Sequence, residues 1–336
     1  LGLLWCSASF AANISNCNLT ATADIVIPDG NKYTCTTDDT FDNTGGHTIT
    51  HTNIIISTAG TNAEDVEIIN SGTIEQDGNE KPAINGNTST NLKITNNSGA
   101  TIQSDTKTIN INDGANAEII NIGNITSEGS YGIKSNGDNL TITNSGTITA
   151  VSLGINLDAG GANVIITNTG NIYGTTKKAI NIIADNATIT NKSGGLIRAG
   201  SDGSVDSDQV NAVIFDKAND SDRNGTLENY GTITAARSAV KVNMQNLVIN
   251  NYSGATIQIT DDNGEAAAIQ VSDDNATITN KGTLSGTHVN SHSIEIDNGV
   301  TGTKIYVDGA PTFTGEVEFN NAAANTTMYL GCSMTQ

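Results

Sequence analysis

The 336 residues predict an all-β chain wound as a right-handed parallel β-helix, with three short strands per coil, about ten coils and Asn ladders inside. Three observations carry that prediction. A phrase Asn-x-x-(Ile/Leu)-x-Asn recurs along the chain, a Gly turn follows each copy, and apolar residues keep a period of two. One octapeptide, Asp-Asn-Ala-Thr-Ile-Thr-Asn-Lys, even occurs twice without change, at 185 to 192 and at 274 to 281.

The phrase ends at Asn96, Asn121, Asn144, Asn168, Asn191, Asn229, Asn251 and Asn280, with an imperfect ninth copy at Asp65 to Asn70. Most copies follow the last at a nearly even interval, the long step from Asn191 to Asn229 being the exception, and a repeat of roughly 20 to 30 residues marks a solenoid. After the second Asn comes the turn and then a second strand, as in Asn144-Ser-Gly-Thr-Ile148. Three copies lengthen that turn by two residues, ending at Ile102, Ile197 and Ile257. A third apolar strand follows, often opened by a small residue, as in Gly132-Ile133, Ala179-Ile180 and Ala268-Ile269.

Side chains alternate across a strand, so the Ile two residues before the second Asn and that Asn face the same way. If the Ile column is buried, the Asn column is buried with it. Coils stack about 4.8 Å apart, which sets each amide against the next. An unpaired buried amide costs about 1 to 3 kcal/mol, so an interior Asn is tolerable only where its neighbours satisfy it. A helical repeat is excluded by the Gly and β-branched content and the lack of an i, i+3, i+4, i+7 stripe. A β-propeller needs about 40 residues per blade, a period that is absent here. The right hand of the coil is assigned by analogy with other Asn-laddered β-helices.

Composition narrows the partners. There are 35 acidic against 15 basic side chains, a net charge of -20, so nucleic acid is not an expected partner. Residues 1 to 12 form a short apolar run ending in small residues, with Ser9 and Ala11 placed for signal-peptidase cleavage, and read as a partial signal peptide. Residues 13 to 61 are expected to hold an N-terminal cap and the first coil or coils. The repeats span 62 to 309 with an insertion at 198 to 225, and a truncated C-terminal segment covers 310 to 336. Export makes a Cys17–Cys35 disulfide the expected use of those two thiols, pinning the N-terminal end. Cys332 has no obvious partner.

The phrase Ile-Thr-Asn-Ser-Gly-Thr-Ile at 142 to 148 and its variants, behind a signal-like segment, resemble the passenger regions of bacterial autotransporters, the type V secreted proteins. The resemblance covers about residues 62 to 321. It implies a partner, a C-terminal outer-membrane β-barrel that carries the passenger to the cell surface. The tail after Ala310 has no series of ten-residue alternating strands, so any such barrel is expected downstream of Gln336 or removed.

Candidate sites are few against this scaffold. Asp220, Asp222 and Asn224, followed by Gly225, match the first half of a calcium loop, although Gly231 stands where the loop's closing Glu belongs. Asp202, Asp206, Asp208 and Asp216 are a candidate carboxylate cluster for glycoside cleavage, with a solvated loop as the competing reading. The histidines form two i, i+4 pairs, His47 with His51 and His288 with His292. On a strand that spacing puts them about 13 Å apart, beyond a shared ion. Thr141 and Thr143, Thr188 and Thr190, and Thr277 and Thr279 suggest an outward Thr array, which Ile165, Glu228 and Val248 break.

The expectation from sequence is therefore a non-catalytic structural or adhesive module, secreted or displayed on a bacterial surface, with calcium as the one cofactor to consider. The ligand to consider is a surface polysaccharide or the surface of a host or other cell. The alternative is a carbohydrate-active β-helix, binder or lyase- or hydrolase-like enzyme, with the insertion as its platform.

Overall fold

A computed structural model describes residues 17, 19–27, 32–58, 62–78, 80–200, 210–216, 224–260, 266–286, 291–320 and 324–331. The signal-like run at 1 to 12, Cys332, His288 and most of the 198 to 225 insertion lie outside the described residues.

Short strands follow one another in strict rotation through three parallel sheets, of 13, 12 and 12 strands. Every third strand joins the same sheet, so each coil contributes one strand to each sheet, and the fold is the expected three-stranded parallel β-helix. The described chain makes twelve coils and the first strand of a thirteenth. The count exceeds about ten because coils form at both ends where the Asn phrase is degenerate. Leu19–Thr20 and Thr40–Asn43 open the first two coils, while Lys304–Val307 and Thr327–Leu330 open the last two. Segments 13 to 61 and 310 to 336 thus contribute strands to the same sheets as the repeats.

Coils are numbered by their first-sheet strand. Coil 6 starts at Thr141–Asn144, coil 7 at Ile165–Asn168, coil 8 at Ala187–Asn191, coil 9 at Gly225–Asn229, coil 10 at Leu247–Asn251 and coil 11 at Thr277–Asn280. Neighbouring coils pair residue on residue, as in Ile142↔Ile166 and Asn144↔Asn168, so a feature of one coil sits directly on its counterpart in the next.

That register turns the period of two into buried columns. In coil 6, Ile142, Ile148 and Ile155 come from the three sheets, and all are fully buried. Full burial of each such side chain is worth about 1.5 to 3 kcal/mol, and a slender coil holds only a few, so stability accumulates by stacking. At the N-terminal end Cys17 and Cys35 are joined in a disulfide, both fully buried beside Tyr33 and Phe41.

The three corners differ sharply. Connections from the first sheet to the second come in just two lengths, the short one of Ser145–Gly146 and the longer one of 192–195. Those from second to third vary from the single Gly315 to the whole stretch between Ala199 and Val213. Those from third back to first vary from 183–186 to the more than twice as long 58–66. Two kinds of Gly hold the uniform corner. In the short form a Cβ on Gly146 would lie 2.0 Å from the Gly123 carbonyl oxygen of the coil below, so only Gly permits the stacking. In the long form Gly194 takes φ +83° with open space around it, and there the requirement is conformational.

Candidate functional surfaces

The second Asn of each phrase lies inside the uniform corner. A single chain of amide hydrogen bonds runs from Asn43 through Asn70, Asn96, Asn121, Asn144, Asn168, Asn191, Asn229 and Asn251 to Asn280, each at 2.8 or 2.9 Å. All ten side chains are 0 or 1% exposed. In each link the lower Nδ2 donates to the Oδ1 above, and the second amide hydrogen goes to a backbone carbonyl, as from Asn144 to Asn171 O at 3.1 Å. The column starts where the Asn43 Oδ1 accepts from the His47 N–H and stops at Asn280, whose Nδ2 has no partner because Val307 occupies the next rung. These amides hold the corner together and offer nothing to a ligand.

The first Asn of the phrase has a different task. Asp65, Asn91, Asn116, Asn139, Asn163 and Asn186 all take left-handed φ between 53° and 57°, a conformation that Asn and Asp tolerate best among residues with a Cβ. Their exposed side chains form a second, outer ladder with links of 2.7 to 3.1 Å. It ends at the insertion. Asn224 stacks on Asn186 through its backbone carbonyl, and its N–H donates to Asp185 Oδ1 at 3.2 Å.

Asn224 is therefore the one calcium-candidate residue that is described. Its backbone is tied into the coil, while Asp220 and Asp222 lie outside the described residues, as do Asp202, Asp206 and Asp208. Among the described residues no three His, Cys, Asp or Glu side chains group as a metal site. His47 and His51 do not converge. His47 lies in a corner 3.8 Å from Asp24, whereas His51 is buried with neither ring nitrogen partnered. His292 pairs with Glu318 at 3.0 Å.

Variable connections flank the third sheet on both sides. Along its outward centre Asn85, Asn110, Asn156 and Asn181 are only 4 to 9% exposed. Asn181 donates to Asn156 at 2.9 Å and Asn156 to Asp158 at 2.7 Å, while Lys134 pairs with Asp158 at 2.8 Å. Beside the insertion-bearing coil 8, Lys178 donates to Asn181 Oδ1 at 2.9 Å. Burial pushes the Lys178 ammonium below its ordinary pKa; the nearby Asp216 carboxylate opposes this, and Lys241 and Lys177 reinforce it. Asp216, the described member of the carboxylate cluster, accepts from Asn243 at 3.4 Å. The outward Thr row reads Thr141, Ile165, Thr188, Thr226, Val248 and Thr277, interrupted as expected from sequence.

No protein-family model matches the chain, and neither does any curated protein. Two solved structures resemble it in fold, both of PfbA, a surface adhesin of Streptococcus pneumoniae. The first is 13% identical with a TM-score of 0.46, covering 92% of this chain and 84% of that one. The second is 12% identical with a TM-score of 0.43, covering 92% and 90%. A likeness at this level says nothing about what this chain binds.

Proposed function

We propose that the chain is a non-catalytic structural module of an exported, surface-displayed protein of the autotransporter-passenger kind, acting as an adhesive rod. The observation that supports this reading is the parallel stacking of twelve coils, whose register shifts at His292 between coils 11 and 12. At about 4.8 Å per rung they make a rod of roughly 58 Å that presents its outward rows in fixed positions. A disulfide at the first coil suits an oxidising compartment. A net charge of -20 keeps such a surface soluble and away from nucleic acid.

The test is surface labelling of intact cells expressing the gene with its natural flanks and an epitope in the 198 to 225 segment. Labelling without permeabilisation is expected, and label confined to lysed cells overturns the display reading. The purified chain should then retain cells or surface polymers without turnover. Release of reducing ends or unsaturated sugars from a polysaccharide panel, lost on deleting the insertion, would establish the carbohydrate-active alternative, for which the Lys178 and Asp216 grouping is the supporting observation. The rod reading requires no metal, so binding heat with millimolar calcium, lost in the Asp220→Ala, Asp222→Ala variant, would change it.

A further inference from the structure

Four of the seven tyrosines meet on one side of the rod. Tyr230 and Tyr252, at the corner of coils 9 and 10, stack with ring centroids 4.0 Å apart and planes 5° from parallel. Tyr306 and Tyr329, on the first-sheet strands of coils 12 and 13, stack at 4.7 Å and 8°. Each pair stacks one coil on the next with its rings nearly parallel, so the ring faces look along the axis. Each pair covers its own inner faces, and Lys192 sits 5.7 Å over Tyr230 on the N-terminal side. The remaining inward-looking faces are those of Tyr252 and Tyr306, which look onto coil 11 at different positions, Tyr252 at Lys281 and Tyr306 at Thr279.

Coil 11 offers Thr279 and Lys281 there, neither of them aromatic, and a recess of about 380 Å³ opens over Thr279, Lys281, Tyr306, Asp308 and Tyr329. Tyr306 and Tyr329 border that recess and Tyr252 does not, so a ring-shaped ligand within it rests on Tyr306 over Thr279. The lysine and the aspartate that line it form one ion pair, and a hydrogen-bonded carboxylate lies beside it. Lys281 pairs with Asp308 at 3.0 Å, and Glu228 accepts from Asn250 at 2.9 Å and from the Tyr252 hydroxyl. The Glu228 hydrogen bond, then Tyr230, push the Tyr252 phenol above its ordinary pKa, so it stays neutral.

We infer that this tyrosine strip binds an uncharged glycan at its C-terminal end, with one pyranose resting on Tyr306 over Thr279 in the recess. Aromatic faces meet the C–H face of a sugar, while hydroxyls, amides and shared carboxylates meet its rim. The Lys281–Asp308 pair leaves the recess lining without net charge, which favours a neutral polyol over a free cation or anion. The inference rests on the adhesive reading above and gives it a ligand class and a place.

The test is affinity electrophoresis of the full chain in gels containing neutral polysaccharides (a β-glucan, an α-mannan, a galactan), with circular dichroism confirming the fold of each variant. Retardation by at least one polymer is expected. Tyr306→Ala should weaken it about tenfold, whereas Tyr252→Ala, outside the recess, should change it little. Tyr306→Phe, which keeps the ring, should stay close to the parent, and Tyr131→Ala on the third sheet should change nothing. No retardation by any polymer, or retardation unaffected by Tyr306→Ala, overturns the assignment. A larger change in tyrosine fluorescence with tetramethylammonium than with any sugar also overturns it. Turnover of a retarding polymer would instead sink the non-catalytic reading and leave the strip in place.

Discussion

The corner between the first and second sheets and the flanks of the third sheet are built from the same repeat, yet only one of them tolerates change. The corner keeps to its two lengths, because the buried Asn and the close approach of Gly146 to the coil below leave no slack. The flanks stretch as far as the connection between Ala199 and Val213, because the buried amide column does not pass through them. Even the permitted variation at the corner keeps the period of two. Rigidity is thus concentrated along one edge of the rod, and freedom to vary along the others.

The sharpest way to break this contrast is a one-residue insertion. A Gly between Ser145 and Gly146 reverses the facing of the later corner residues, and should cost about 4 kcal/mol or abolish cooperative folding. The same Gly between Thr176 and Lys177, in a flank, should cost under about 1 kcal/mol. Urea unfolding of both proteins measures the difference, and equal losses would refute the contrast.

Within the corner, position along the column should matter next. Asn168→Ala leaves a donor on Asn144 and an acceptor on Asn191 unmatched, for an expected loss of about 2 to 4 kcal/mol. Asn280→Ala takes the acceptor from the Asn251 amide and the Gly282 N–H but removes an Nδ2 that was itself unpartnered, so about 1 to 2 kcal/mol is expected. Glycan retention should survive both. A larger loss at Asn280 than at Asn168 would show that the column is not what stabilises the corner.

The outer ladder should be weaker still. Asn139→Ala forces an Ala into left-handed φ and should lose about 1 kcal/mol, whereas Asn139→Gly should recover most of it. If Gly and Ala cost the same, the exposed amide bonds rather than the backbone carry the effect.

The smallest expected effect lies in the flank. With its folded pKa lowered, Lys178 binds fewer protons in the folded chain than in the unfolded chain between that value and about 10.4. Stability should therefore rise with pH across that window. Lys178→Met should gain under about 1 kcal/mol at neutral pH and nothing at pH 11, read from melting temperatures.

Much of the fold was legible because strand alternation ties Ile189 and Asn191, or Ile278 and Asn280, to one face without reference to anything distant. The column was underestimated at its N-terminal end for a related reason. Asn43 follows Asp38-Asp-Thr-Phe-Asp, the same phrase with Asp and Phe replacing Asn and Ile, and strict matching passes over it. The first Asn was counted as part of a motif, yet its role depends on a backbone dihedral that spacing does not express. The tyrosine strip was not legible at all. Even the nearest two of Tyr230, Tyr252, Tyr306 and Tyr329 are a full coil apart along the chain, and only the register, with corners and inserted loops accounted for, lays them side by side.

The inner amide column also has a direction. Every link donates from the earlier coil to the later one, so its group dipoles add head to tail, with a capped acceptor at Asn43 and a bare donor at Asn280. A chain that winds up from its N-terminal end would present, at each stage, an unmet N–H as the docking point for the next turn. Winding from the other end would present an unmet oxygen instead. The polarity of a single row of side chains thus makes the two ends of the rod chemically unlike each other, and gives its assembly a growing tip whose character depends on which way it grows.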